Sequence, residues 1–117
     1  EAYIALNRFL PAIRALFFVA AGMAKLRAAL WQMEKDIGLA ELSRNERDLL
    51  YAFHSVAAVS GGGEVSSEQV RTDGVVCDMK HATFHRSLKR LLELGYIEVA
   101  PQRKTKVYRL TDKPLGV

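Results

Sequence analysis

Seven residues in the C-terminal half of the chain, Lys80, Ala82, Thr83, His85, Arg86, Lys89 and Arg90, have types and spacing suited to recognising a polyanion. Arg86 can fork onto a guanine edge. Short Ala82 and Thr83 allow close approach to a groove, and Thr83 and Arg86, with Ala82 and His85 beside them, are the candidates for reading bases. Lys80, Lys89 and Arg90 suit phosphates at the groove edges. The same place offers a second chemistry. Cys77, His81 and His85 recur every four residues, and a thiolate with two imidazoles would suit zinc. No fourth ligand is in view, Cys77 falls ahead of the helix, and His81 falls towards its buried side, so no metal and no cofactor is expected. No nucleophile pairs with a base and an orienting group, and no paired carboxylates or phosphate loop occur, which argues against an enzyme. Ser60-Gly61-Gly62-Gly63 lacks a following Gly-Lys-Ser/Thr and reads as a turn.

These residues need a helix to present them. Phe84, Leu88, Leu91 and Leu92 recur at helical spacing and define a buried stripe on a helix over 80–94, with Gly95 as its C-cap. Thr83, Arg86 and Arg90 fall on the opposite side. Two short runs rich in β-branched and aromatic residues follow, Tyr96–Ala100 and Lys106–Thr111, separated by a polar turn that opens with Pro101; they read as a hairpin. Its tip and second strand carry Arg103, Lys104, Lys106 and Arg109. Arg103, Lys104 and Lys106 are the candidates for phosphate or minor-groove contact. A helix with a basic outer face followed by a basic hairpin is the order of a winged helix.

Upstream elements fit the same order. Ser43 with Glu46, and Ser66 with Gln69, make two capping-box patterns. The first opens a helix with Leu49, Leu50, Phe53, Val56 and Ala57 on its core stripe and His54 beside them. The second opens a short helix through Val70 and Arg71. Asp73-Gly74 is a turn, and Val75, Val76 and Cys77 supply apolar filling. The net charge of +4 is unevenly spread, with balances of +2 over residues 1–40, −4 over 41–79 and +6 over 80–117. Positive charge therefore gathers where phosphate contacts would be made. A single cysteine and the absence of a signal-peptide pattern suit a reducing cytoplasm. The most apolar run, residues 15–24, is bounded by Arg14 and Lys25 and is about half the roughly 20 residues a membrane span needs.

Residues 2–37 read as a long helical region, rich in Ala, with Pro11 either kinking it or standing in the first turn of a helix that starts near Leu10. A helix of about 25 residues runs nearly 40 Å, longer than the small domain beside it. Phe9, Ile13, Phe17, Ala20, Ala24 and Trp31 are therefore expected to pair with a second copy of the chain. Because the first residue is Glu rather than Met, the native chain is expected to be trimmed or longer.

Several stretches resemble one family. Leu42–Leu50 resembles the second helix of MarR-type regulators, and Thr83–Leu91, with its Thr-apolar-x-Arg start, resembles their recognition helix. Gly95–Glu98 is similar to the turn into their wing, and Leu110–Lys113 to the Leu-Thr that closes it. The resemblance covers roughly residues 40–113 and implies a winged helix-turn-helix fold and DNA binding. Gln102 and Lys104 stand where that family carries Asp-x-Arg in the wing, and the family's C-terminal dimerising helices have no counterpart before Val117. The family's effector is therefore not carried over.

The expectation is a mainly α protein with a small β-hairpin wing: a long N-terminal helical region over 1–39 for dimerisation, and a winged helix-turn-helix DNA-binding domain over 40–117. It would bind double-stranded DNA as a homodimer and regulate transcription. Two alternatives stay open: a winged helix used as a protein–protein module, and a plasmid or phage replication or partition protein that binds DNA through the same fold.

Overall fold

The computed structural model describes residues 2–61, 63–101 and 106–113, with side chains from residue 10 onward. The chain divides into two compact units, Glu1–Ile37 and Gly38–Val117. The described residues are mainly helical and carry a small three-stranded antiparallel sheet.

The first unit is one helix, α1 (Ala2–Asp36), which passes through Pro11 and Gly22 without interruption. At about 1.5 Å per residue it extends over roughly 50 Å. Pro11 removes one hydrogen bond and costs about 3 kcal/mol in a helix interior, yet the Ala-rich turns on either side continue the helix across it. Exposed large apolar side chains run along α1, among them Leu16, Phe17, Met23 and Leu26.

The second unit begins with a short 3-10 turn, Leu39–Glu41, and then α2 (Arg44–Ser60). Both halves of the capping box expected at α2 form: the Glu46 amide donates to Ser43 Oγ at 3.2 Å, and the Ser43 amide donates to Glu46 Oε1 at 3.0 Å. A short strand, β1 (Glu64–Ser66), leads directly into α3 (Ser67–Arg71), where the second box closes between Ser66 and Gln69. A 3-10 turn over Gly74–Asp78 then gives way to α4 (His81–Leu94), and the chain continues into β2 (Ile97–Val99) and β3 (Val107–Leu110).

The sheet order is β1-β3-β2, with β3 in the middle. Sequence periodicity shows only the hairpin. β1 is three residues long and directly precedes a capping signal, too short for alternation to register. It nevertheless ties the hairpin to the helices, because Val65 stands opposite Tyr108 and Ser66 opposite Val107. The Ser67 amide also donates to the Lys106 carbonyl at 2.9 Å.

The core joins every element of this second unit. Leu49, Leu50 and Phe53 of α2 meet Val65, Val70, Val76, Phe84, Leu88, Leu91, Tyr96 and Ile97 in one cluster, with Leu39 and Leu42 closing one end. Each such side chain contributes about 1.5–3 kcal/mol by leaving water. Phe53 meets Tyr108 edge-on at 5.9 Å, joining the sheet to α2. Three sequence expectations change here. Val75 and Cys77 are exposed and only Val76 of that trio is buried, because the 3-10 turn points one residue in three inward. His54 is exposed by area, although partial burial against the protein holds its imidazole below the ordinary histidine value. Ala52 joins the buried side of α2, whereas Val56 and Ala57 are half-buried.

Candidate nucleic-acid interface

The recognition candidates stand on α4, whose two faces are sharply divided. Phe84, Ser87, Leu88 and Leu91 are buried. Ala82, His85, Arg86, Lys89 and Arg90 are exposed, as is Lys80, the residue that precedes the first helical turn. The exposed side is an arc about half the circumference wide, with Ala82, Lys89 and the acidic Glu93 near its middle and His85 and Arg86 to either side. Thr83 is half-buried and belongs to the edge of this arc, next to buried Ser87, rather than to its centre. His81 is exposed, against the expectation that it turns inward: it starts the helix, where no preceding turn covers it. Its ring meets that of His85 edge-on at 4.2 Å.

Two devices fix the helix. At its end Gly95 adopts φ 83°, and the amides of Gly95 and Tyr96 donate to the carbonyls of Leu92 and Leu91 at 3.2 and 3.0 Å. This is a Schellman closure, which needs a left-handed residue and so favours glycine. At its start the half-buried Arg71 lies over the Phe84 ring at 4.8 Å and donates to the Val76 carbonyl at 3.3 Å, bracing the turn that leads into the helix.

A polar cluster that local sequence signals do not show lies where the helix ends. Tyr96 is buried, and its hydroxyl donates to Glu41 Oε1 at 2.5 Å. Lys113 Nζ donates to the Leu94 carbonyl at 2.8 Å, lies 3.5 Å from Glu41 Oε1 and sits over the Tyr96 ring at 4.6 Å. Thr111 Oγ1 donates to the Gly95 carbonyl at 2.7 Å. The hydrogen bond from Tyr96, then the charges of Lys113 and Arg90, hold the Glu41 carboxyl below the usual carboxylate range. Burial, then the bond to Glu41, pushes the Tyr96 hydroxyl well above the usual phenol value. Lys80, Arg86, Lys89 and Arg90 are the cations of the exposed arc, with Arg90 adding only a weak attraction to Glu41. Tyr96 and Glu41 stand 55 residues apart, and a contact of that separation leaves no periodicity to read.

The hairpin cations divide. Arg103 and Lys104 lie outside the described residues. Lys106 is exposed and takes φ 78°, a left-handed conformation that L side chains rarely adopt. Arg109 is engaged within the sheet: it stands opposite Glu64 on one side and Glu98 on the other, and its Nε donates to Glu98 Oε1 at 2.6 Å. The pleat puts all three on one exposed face.

On α1, Ile13, Phe17, Ala20, Ala24 and Trp31 are exposed, and the Phe9 side chain lies outside the described residues. Lys35 Nζ stands 5.7 Å from the Trp31 ring centre. Among the described residues no group of three or more His, Cys, Asp or Glu is placed to hold a metal ion, and no helix is long and apolar enough to cross a membrane.

No known protein family, curated protein or solved structure matches the chain.

Proposed function

We propose that the chain is a winged helix-turn-helix protein, similar in plan to MarR-type regulators, that binds double-stranded DNA as a homodimer and regulates transcription in the cytoplasm. The observation that carries this reading is α4: one face is locked into the core, and the other presents Lys80, Arg86 and Lys89 around the short side chain of Ala82. A helix of that kind fits the major groove with its cations towards phosphates and base edges. The element order supports it. A strand, a short helix, the basic helix and a hairpin follow one another, and the hairpin pairs back to that first strand. α1 supplies the self-association that brings two such helices to two half-sites.

The test is fluorescence anisotropy on a pool of random duplexes, followed by selection of preferred sequences. Salt-sensitive binding is expected, and Arg86→Ala should relax preference at one base position by about 1–3 kcal/mol. Absence of binding at low salt by the folded protein would refute the reading. The exposed apolar length of α1 favours a second reading, a winged helix that docks a partner protein; that protein would bind duplexes weakly and without salt dependence.

A further inference from the structure

The duplex contact proposed above uses His85 only as a neighbour of the base-reading residues and gives His81 no role. The two imidazoles nevertheless stand together. α4 begins at His81, so His81 and His85 are four residues apart within one helix and lie one above the other on the same face. Both are exposed, whereas the spacing alone turns His81 inward and sets a metal aside partly for that reason. Their rings lie 4.2 Å apart with 64° between the planes. The His85 ring also meets the Phe84 ring edge-on at 5.3 Å, and Phe84 is locked in the core. The pair is thus positioned by the helix backbone and by a buried aromatic side chain.

Two imidazoles at this spacing form a bidentate chelate, the arrangement by which helices hold zinc through paired histidines. Metal–nitrogen bonds of about 2.0–2.1 Å at a tetrahedral angle put the ligand nitrogens about 3.3 Å apart. Rings as close as these reach that separation by rotating about their side-chain bonds, with the backbone unmoved. Imidazole nitrogen selects Zn²⁺, Ni²⁺ or Cu²⁺ over Mg²⁺ or Ca²⁺, which take oxygen. Cys77 is engaged elsewhere: its thiol donates to the Gly74 carbonyl at 2.9 Å, within the 3-10 turn ahead of the helix. A cation held by the pair therefore keeps open positions, as metal sites that take an external ligand do.

Charge sets the affinity. The N-terminal turn of α4, with Lys80 and Lys89, opposes a dication. Arg86 and Arg90 stand on the opposite flank of the exposed arc. The pair alone binds metal modestly, and an anionic partner that neutralises the nearby lysines improves the site. A duplex is such a partner, and its phosphate oxygens and guanine N7 atoms are donors for the open positions.

We propose that His81 and His85 chelate a divalent cation of the Zn²⁺ class, and that a duplex laid on α4 completes its coordination, so that metal and DNA strengthen each other's binding. The second half rests on the DNA reading above; the chelate does not.

The test begins without DNA. Zn²⁺ titrated into the metal-free full chain in a calorimeter should bind at one site per chain, and Mg²⁺ should not bind. His81→Ala and His85→Ala should each abolish the site, whereas His54→Ala and Cys77→Ser should leave it intact. Both chelating residues are exposed, so the melting temperatures of their variants should match the parent. Absence of Zn²⁺ binding, binding that survives His85→Ala, or binding lost in Cys77→Ser overturns the imidazole chelate. Anisotropy on one fixed duplex then compares the protein with and without Zn²⁺. Duplex affinity should rise about five-fold or more in the parent and stay level in His81→Ala. An unchanged parent affinity overturns the coupling. Absence of salt-sensitive binding by the metal-free protein refutes the DNA reading and the coupling with it, while the calorimetry still decides the chelate.

Discussion

Replacing Lys89 with alanine should flatten the salt dependence of duplex binding by an amount the structure sets. Among the described residues, Lys80, Lys89, Arg90 and Lys106 are the exposed cations of the proposed surface placed for phosphate, whereas Arg86 is assigned to a base and Arg109 is paired to Glu98. Four phosphate contacts per protomer, eight for two protomers on one duplex, give a slope of log K against log salt of about −7. Raising salt from about 50 to 200 mM should then weaken binding by roughly four decades. Lys89→Ala removes one contact from each of the two protomers, so the slope should fall in magnitude by about 2 and the sequence preference should stay as it was. The assay is anisotropy on one fixed duplex across a salt series. Lys89 is exposed and outside the core, so the melting temperature should not move. An unchanged slope in the variant would refute the placement of this face against phosphate, and a slope near zero in the parent protein would refute the reading as a whole.

Two predictions concern stability. Lys106→Gly should stabilise the second unit by about 0.5–1 kcal/mol in urea unfolding, because the strain of φ 78° exceeds the unfolded-chain entropy that glycine adds; destabilisation would show that the Lys106 side chain supports the hairpin. The Glu41–Tyr96 bond should make stability depend on pH at both ends. The Glu41 carboxyl is held below its ordinary 4.5, so its contribution is present above that pH and is lost as pH falls through the lower folded value. Tyr96 is held above its ordinary 10, so the folded state keeps a proton that the unfolded chain gives up, and stability declines as pH rises past 10. Thermal melts of Tyr96→Phe against the parent should show a destabilisation of about 1 kcal/mol at neutral pH that shrinks below pH 4. A gap that stays constant with pH would count against the bond.

The two capping boxes were legible because each is closed within four residues: Ser43 with Glu46, and Ser66 with Gln69, need nothing from the rest of the chain. The buried stripe of α4 was legible for a similar reason. Phe84, Leu88 and Leu91 recur with the period of the helix, and that period determines which side chains share a face. Thr83 and His81 were placed less well. Both lie at margins, where a wheel cannot say how far the neighbouring turn or loop extends over a side chain. The helical character of residues 2–37 was legible from their Ala-rich composition, although Pro11 left the starting point open; the helix runs through it.

The residue pattern by itself therefore determined the order of the helices and the hairpin from residue 38 onward (though not the short strand β1), the division of α4 into a buried and a basic face, and the apolar character of α1. Each depends on intervals of a few residues. Only the tertiary structure decided which cations remain unengaged. Arg109 lies between Glu64 and Glu98 because two strands meet β3 from opposite sides, and Lys113 is held against Glu41 and the Leu94 carbonyl because Tyr96 brings that carboxylate to the end of α4. Charge pairing across tens of residues follows from packing and register, and neither is written in local periodicity.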